Sequence, residues 1–217
     1  MFAATHQVRT KFVTVPGASF CALWPKTQSL VKSLKPQVVV LEIVGTAYSP
    51  CAKKYGLIHS DPWFAAMRAA LEKGVNTMAA GGVQKIMLDA GPVSKAGDDW
   101  KVRFRAMFDD LATAHPGLVT QITPGTVVEG AGRTWVKYLP CLASEIASGQ
   151  CAQSGAPVPG TITVRSPDTF HLCTQPPANP FSPVCPEYSS GAIRYAAATV
   201  APIISAWGLS PVPVYLP

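Results

Sequence analysis

A short segment near the carboxyl end of the chain carries an aspartate three residues before a histidine, Asp168 and His171. A single turn at this spacing can bring the carboxylate to the imidazole Nδ1, which orients the ring and leaves Nε2 to act as a general base. Serine-dependent acyl chemistry holds its histidine in this way. The pattern is short and often arises by chance. The alternative is a solvated loop aspartate beside a half-buried histidine.

A serine that this base would activate is not evident in the sequence. Ser19 lacks the strained strand-to-helix turn that is typical of nucleophilic serines, so we interpret it as a loop residue. Ser49 is interpreted as a turn residue, and Ser189 and Ser190 as helix caps. The sequence therefore predicts a base and its orienting carboxylate without the group that attacks the substrate.

The other histidines give no sign of a catalytic or metal site. His6, His59 and His115 have no carboxylate at a useful spacing and are predicted to be surface residues, with His115 ending a helix. No two histidines share a ligand spacing, and the cysteines form no C-x-x-C pair. We therefore expect neither a metal ion nor another cofactor, and a metal enzyme is disfavoured.

Six cysteines, an even number, favour a disulfide framework. Two pairs would close short loops, which leaves the remaining two cysteines to bond with each other. The predicted pairs are Cys141 with Cys151, Cys173 with Cys185, and Cys21 with Cys51. Three such bridges indicate a protein that is secreted or displayed at the cell surface. The alternative is six buried free thiols.

The composition fits one domain over residues 1–217, with 48% hydrophobic and 14% charged residues. No apolar run approaches the roughly 18 residues that cross a bilayer, so no membrane span is predicted. The net charge of +6 comes from scattered Lys and Arg without interleaved aromatic residues, which argues against nucleic-acid binding. Residues 1–6 show no signal-peptide pattern, in conflict with the cysteine content.

Strand and helix patterns alternate along the chain. Arg9 to Val15 alternates like a strand, and Gln37 to Val44 is a near-continuous apolar run, as in a buried parallel strand. Further strands are predicted at 83–88 and 118–122, and helices at 27–34, 61–74, 98–114 and 189–207, with Asp61 as an N-cap. This order predicts an α/β fold with a parallel sheet and functional loops at the carboxyl ends of its strands.

Several segments resemble the SGNH (GDSL-type) hydrolase family, and more closely a secreted, cysteine-bearing branch of actinobacterial type. They follow the family order over most of the chain, at 16–21, 34–41, 45–51, 139–142, 164–173 and 188–195. The resemblance implies a flavodoxin-like three-layer sandwich with a central parallel sheet. It also implies hydrolysis or transfer of acyl groups on esters of sugars or lipids, with a small-molecule acyl ester as the partner. We expect a monomer.

The resemblance assigns roles to particular residues. Asp168 and His171 match the family's orienting carboxylate and general base, and Gly17 matches a glycine whose backbone N–H binds the oxyanion. Gly45 matches the next block, but Thr46 stands where the family has the Asn that completes the oxyanion hole. Losing one such donor lowers the rate of other enzymes roughly 100- to 1000-fold, so the substitution predicts weakened activity.

The Gly-Asp-Ser block of the family, which lies on its first strand, has no match in the sixteen residues before Gly17. We therefore expect an N-terminally shortened member, which would also explain the missing signal peptide. The first strand normally lies between the strands at 9–15 and 38–44, so its loss should leave a gap there or bring those two strands together.

Two aromatic residues beside the predicted cleft loops, Trp24 and Tyr48, are candidates for contacting a substrate. The alternative function, of a different class, is a non-catalytic domain that keeps the cleft and binds a carbohydrate or an acylated envelope component.

Overall fold

A computed structural model describes residues 9–13, 18–43, 50–95, 99–165, 171–174, 185 and 187–206. The chain divides into two compact units. The parallel unit comprises Val15–Gly91 and Asp98–Ile122, and the antiparallel unit comprises Met1–Thr14, Pro92–Gly97 and Thr123–Pro217. This division does not test the prediction of a single domain over residues 1–217, which stays a prediction.

The parallel unit contains three parallel strands in sequential order, β1 (Val38–Glu42), β2 (Lys85–Asp89) and β3 (Val119–Gln121). Helix α1 (Phe20–Leu34) precedes β1, and α2 (Asp61–Ala80) and α3 (Asp99–Ala114) connect the strands. All three helices share one hydrophobic core with alternate residues of β2, Ile86 and Leu88. The α/β class with a parallel sheet is thus confirmed.

Packing explains why α2 is longer than the sequence predicts. The helix starts after Ser60, whose hydroxyl accepts the N–H of Trp63 at 3.4 Å, so Asp61 is the first helical residue and not the cap. Gly74, the predicted end, lies within the helix, at a point where a side chain has no room. A Cβ atom on Gly74 would lie 2.5 Å from Cζ of Phe20.

The strand β1 lies at the edge of the described sheet. Its apolar sequence predicts a strand buried on both faces, yet Val38, Val39 and Val40 are only half-buried. The next strand, β2, has four buried residues out of five. Residues 9–13 form no strand, so they do not pair with β1, and Thr14 and Val15 lie outside the described residues.

The antiparallel unit holds short elements where the sequence pattern loosens. Strands β4 (Tyr138–Pro140) and β5 (Thr161–Thr163) pair antiparallel, and helices α4 (Ala143–Ala147) and α5 (Gln150–Gln153) lie between them along the chain. Helix α6 (Ser190–Ala206) follows. A small core of Val128, Ile162 and Val164 is completed by side chains that include Leu172 of the following segment and Tyr195 of α6.

All three predicted disulfides are confirmed: Cys21–Cys51, Cys141–Cys151 and Cys173–Cys185. No cysteine is free, which excludes the alternative of free thiols. This framework is consistent with the predicted extracellular location. Within the described ranges, no helix combines the length and the apolar character needed to cross a membrane.

Candidate functional site

The candidate base, His171, lies in the antiparallel unit after β5 and two residues before Cys173, and it is half-buried. Cys173 is fully buried, bonds to Cys185 and forms a β-bridge with Tyr188. The next residue, Thr174, is also tied, since its hydroxyl lies 2.7 Å from a carboxylate oxygen of Glu187. The carboxyl side of the His171 segment is therefore fixed to the chain that leads into α6.

Ser189, which caps α6, fastens the same segment to the end of β5. Its N–H donates to the carbonyl of Leu172 at 3.0 Å. Its hydroxyl lies 2.9 Å from the carbonyl oxygen of Val164 and 3.1 Å from that of Leu172, and it accepts the N–H of Ala192 at 3.2 Å. Because a hydroxyl has one hydrogen, the two carbonyls share the donor of this hydroxyl. The predicted cap at Ser189 is confirmed.

The glycine after the first helical residue lets this junction close. A Cβ atom on Gly191 would lie 2.5 Å from the carbonyl oxygen and 2.6 Å from Cα of Val164. Glycine is therefore needed where the first turn of α6 approaches the end of β5. This contact packs the first turn of α6, next to Ser189, against the end of β5.

Arg165 is a buried residue of this region that the sequence does not reveal. It lies directly after Val164 and is only 1% exposed. An arginine that follows a short strand resembles the first solvated residue of a loop, so its sequence context gives no signal of burial. A buried guanidinium needs nearby acceptors, and Arg165 thus adds a fixed positive charge at the end of β5.

A buried ion pair anchors α6 to α4. Nε of Arg194 lies 2.6 Å from Oε1 of Glu145, and Nη2 lies 2.5 Å from Oε2. Nη2 also donates to the carbonyl of Pro140 at 2.7 Å, and the N–H of Leu142 donates to Glu145 at 2.7 Å. Both charged side chains are less than a tenth exposed. The helix that carries Ser189 is thereby held in place.

The serines weighed as nucleophiles are buried wherever they are described. Ser19 is fully buried, and its Oγ lies 3.0 Å from Sγ of Cys21. Ser189 is fully buried, and Ser190 is only 8% exposed. Ser49 lies outside the described residues. The described part of the chain therefore places none of these serines at an open site.

Several predicted site residues lie outside the described residues: Asp168, Gly17, Thr46 and Tyr48, together with Gly45. Their roles stay predictions. Trp24 is described and half-buried in α1, where its ring centroid lies 5.4 Å from that of Phe20. It packs against the core of the parallel unit, and contact with a substrate stays a prediction as well.

Two other histidines have partners that the sequence does not show. Nε2 of His115 lies 2.5 Å from Oε1 of Glu72, a carboxylate partner that is not close to it in the sequence. Helix packing brings together residues 43 positions apart, beyond the reach of a spacing argument. His59 stacks on Trp100, with ring centroids 4.8 Å apart. The described residues contain no cluster of three His, Cys, Asp or Glu side chains suited to a metal ion.

No protein-family model, no curated protein and no solved structure matches the chain. The resemblance to SGNH hydrolases therefore depends on the sequence motifs, and the activity it implies is a proposal.

Proposed function

We propose that the chain is an SGNH-type serine ester hydrolase or O-acyl transfer domain that acts on acylated sugar or lipid esters. The observation that best supports this proposal is the anchoring of His171. A disulfide, a β-bridge and the Ser189 cap all hold residues next to it. A general base needs one fixed orientation relative to the proton it accepts, and a loop histidine without such supports would lack it.

Each residue has a defined task in the proposed mechanism. In an intact relative a serine attacks the ester carbonyl, and the residue that matches His171 accepts the serine proton through Nε2 and later delivers it to the leaving alcohol. This sequence has no match for the Gly-Asp-Ser block that supplies that serine, so the same proposal allows for an inactive chain. Asp168 holds the imidazole and stabilises the imidazolium. The backbone N–H of Gly17 donates to the oxyanion, and Thr46 offers a shorter donor than the Asn of the family. The disulfides suit an enzyme that works outside the cytosol.

A second candidate is favoured by the burial of the described serines. Ser19 donates towards a disulfide and Ser189 towards backbone carbonyls, so both hydroxyls serve structural roles. The sequence contains no Gly-Asp-Ser block. The alternative is therefore a domain of the same fold that binds a carbohydrate or an acylated envelope component without turnover.

Hydrolysis of p-nitrophenyl acetate separates the two candidates. We expect His171→Ala to lower kcat/KM at least about 100-fold, because general-base catalysis contributes roughly 100- to 10,000-fold. The matched control is His115→Ala, which removes a half-buried histidine bonded to Glu72 and should leave turnover unchanged. A fluorophosphonate probe should add to one serine, as located by peptide mass spectrometry. Absence of both turnover and adduct would leave only the binding domain.

A further inference from the structure

The disulfide Cys21–Cys51 lies at the start of a long helix. Cys21 is the second residue of α1, which is 15 residues long, and Cys51 is the second residue of the 3-10 helix Pro50–Tyr55. The first N–H groups of a helix have no intrahelical acceptor, and this end carries a partial positive charge. The first turn of α1 contains no acidic residue that would oppose an anion. A sulfur here is stabilised as a thiolate.

Ser19 adds a hydrogen-bond donor aimed at the same disulfide. Its Oγ lies 3.0 Å from Sγ of Cys21 and 3.6 Å from Sγ of Cys51. Sulfurs of a disulfide carry no hydrogen, so the hydroxyl is the donor. Ser19 occupies the N-cap position of α1, but its side chain makes no capping bond. A hydrogen bond to sulfur strengthens when the sulfur becomes a thiolate, because charge-assisted bonds are the stronger ones.

The other two disulfides have different settings. Cys173 is fully buried, whereas Cys21 and Cys51 are both partly exposed, as are Cys141 and Cys151. Cys151 lies in the four-residue helix α5, and the nearby hydroxyl of Ser154 donates to the carbonyl oxygen of Cys151 at 3.0 Å rather than to its sulfur. Among the described contacts, only the Cys21–Cys51 bridge thus combines a long helix N-terminus with a buried hydroxyl on sulfur.

We propose that Cys21–Cys51 is a thiol–disulfide exchange site for dithiols and the first of the three disulfides to be reduced. One thiolate of the dithiol attacks Sγ of Cys51, the S–S bond breaks, and Cys21 leaves as the thiolate held by Ser19 and the start of α1. The second thiol then attacks the sulfur that the dithiol has placed on Cys51 and releases that cysteine. Two electrons pass to the protein, the dithiol becomes a cyclic disulfide, and its two protons end on the cysteines or in water.

The preference for this bridge follows from the leaving group. Exchange is faster when the departing thiolate is the more stable one, and equilibrium reduction is favoured by stabilising the reduced form. Neither step uses His171 or Asp168, so the proposal stands apart from the proposed esterase activity. Exchange at this site would open and close the link between α1 and the 3-10 helix reversibly.

The oxidised full chain can be equilibrated at pH 7 with graded ratios of reduced to oxidised dithiothreitol. After an acid quench and alkylation, peptide mass spectrometry reports each cysteine pair. We expect Cys21–Cys51 to be half-reduced at a ratio about tenfold lower than the other pairs, equivalent to about 30 mV. Ser19→Ala should lower this tenfold difference between the half-reduction ratios at least about threefold and leave the ratios of the other pairs unchanged. The matched control, Ser154→Ala, should leave all three ratios unchanged.

A second measurement covers the case in which Ser19→Ala disturbs the fold. Cys51→Ser leaves Cys21 as a free thiol, and Cys21→Ser leaves Cys51 free. At pH 7 we expect iodoacetamide to modify Cys21 about tenfold faster than Cys51, in variants that keep the wild-type circular dichroism spectrum. Three results would each overturn the proposal. They are reduction of Cys21–Cys51 together with or after the other bridges, no change in the difference between half-reduction ratios in Ser19→Ala, and equal alkylation rates for Cys21 and Cys51.

Discussion

The ion pair between Glu145 and Arg194 tests how the antiparallel unit holds its last helix. The two side chains are only 6% and 8% exposed, and two close N–O contacts join them. Glu145 also accepts the N–H of Leu142, and Arg194 also donates to the carbonyl of Pro140. Removal of one partner therefore leaves the other charge buried. Of the contacts given above, that charge keeps only its one bond to the backbone.

The structure sets the size of the effect. Arg194→Met removes both bonds to the carboxylate, and a hydrogen bond to a charged group is worth about 1.5–3 kcal/mol. Breaking a buried ion pair by removing one partner destabilises a protein by about 3–5 kcal/mol. We expect Arg194→Met to lower the free energy of unfolding by about 4 kcal/mol. The double variant with Glu145→Gln leaves neither charge unpaired, so its loss should fall about 2 kcal/mol short of the sum of the single losses.

Urea unfolding followed by circular dichroism measures these free energies. The matched control is Arg68→Met, which breaks a pair with Asp110 at a similar 2.7 Å but with side chains 43% and 64% exposed. An exposed pair contributes about 0–1 kcal/mol, so this variant should stay close to the wild type. A loss below about 1 kcal/mol for Arg194→Met, or strict additivity in the double variant, would refute the reasoning.

Two glycines give further predictions, read as shifts in the midpoint of thermal unfolding. Gly191→Ala should destabilise by at least about 1–3 kcal/mol, because its Cβ would lie 2.5 Å from a backbone oxygen of Val164. An unchanged midpoint would contradict that close approach. Gly74→Ala should destabilise within the same range of about 1–3 kcal/mol, because the new Cβ would meet the buried Phe20 ring. Substitution of Phe20 by leucine in the same chain should recover part of this loss.

The disulfide pairs and the strands of the parallel sheet could be predicted because each leaves a local mark in the sequence. Short loops between cysteines identify Cys141–Cys151 and Cys173–Cys185, and the remaining pair follows. Apolar runs identify β1 and β2 to within a few residues. The ends of helices were harder, since Gly74 is a typical helix terminator until Phe20 packs against it.

The candidate site also has one part that the local sequence predicts and another part that depends on contacts between distant residues. Asp168 and His171 form a pattern that can be read from four consecutive residues. The contacts that hold Leu172, next to His171, leave no such local pattern, because the hydroxyl of Ser189 reaches carbonyls 17 and 25 positions away. The partner of His115 is 43 positions away and was missed for the same reason. Side-chain bonds between distant elements depend on packing, and no spacing in one sequence records them.

The strand β1 shows the largest difference between the burial that its sequence predicts and the burial that it has in the described sheet. This difference is relevant to the nucleophile that the sequence lacks. Within the described residues β1 pairs on one side only, although its apolar run suits a strand buried on both faces. It contains none of the prolines or lysines that natural edge strands use to discourage pairing.

A further parallel strand beside β1 would end at the same edge of the sheet, where Gly45 and Thr46 follow β1 in the sequence. The SGNH resemblance assigns that position to the strand that carries Gly-Asp-Ser. A hydrolase of that family needs the serine of this strand, whereas a binding domain needs neither that serine nor Asp168 and His171. Turnover that depends on His171 would therefore require a serine from another part of the chain.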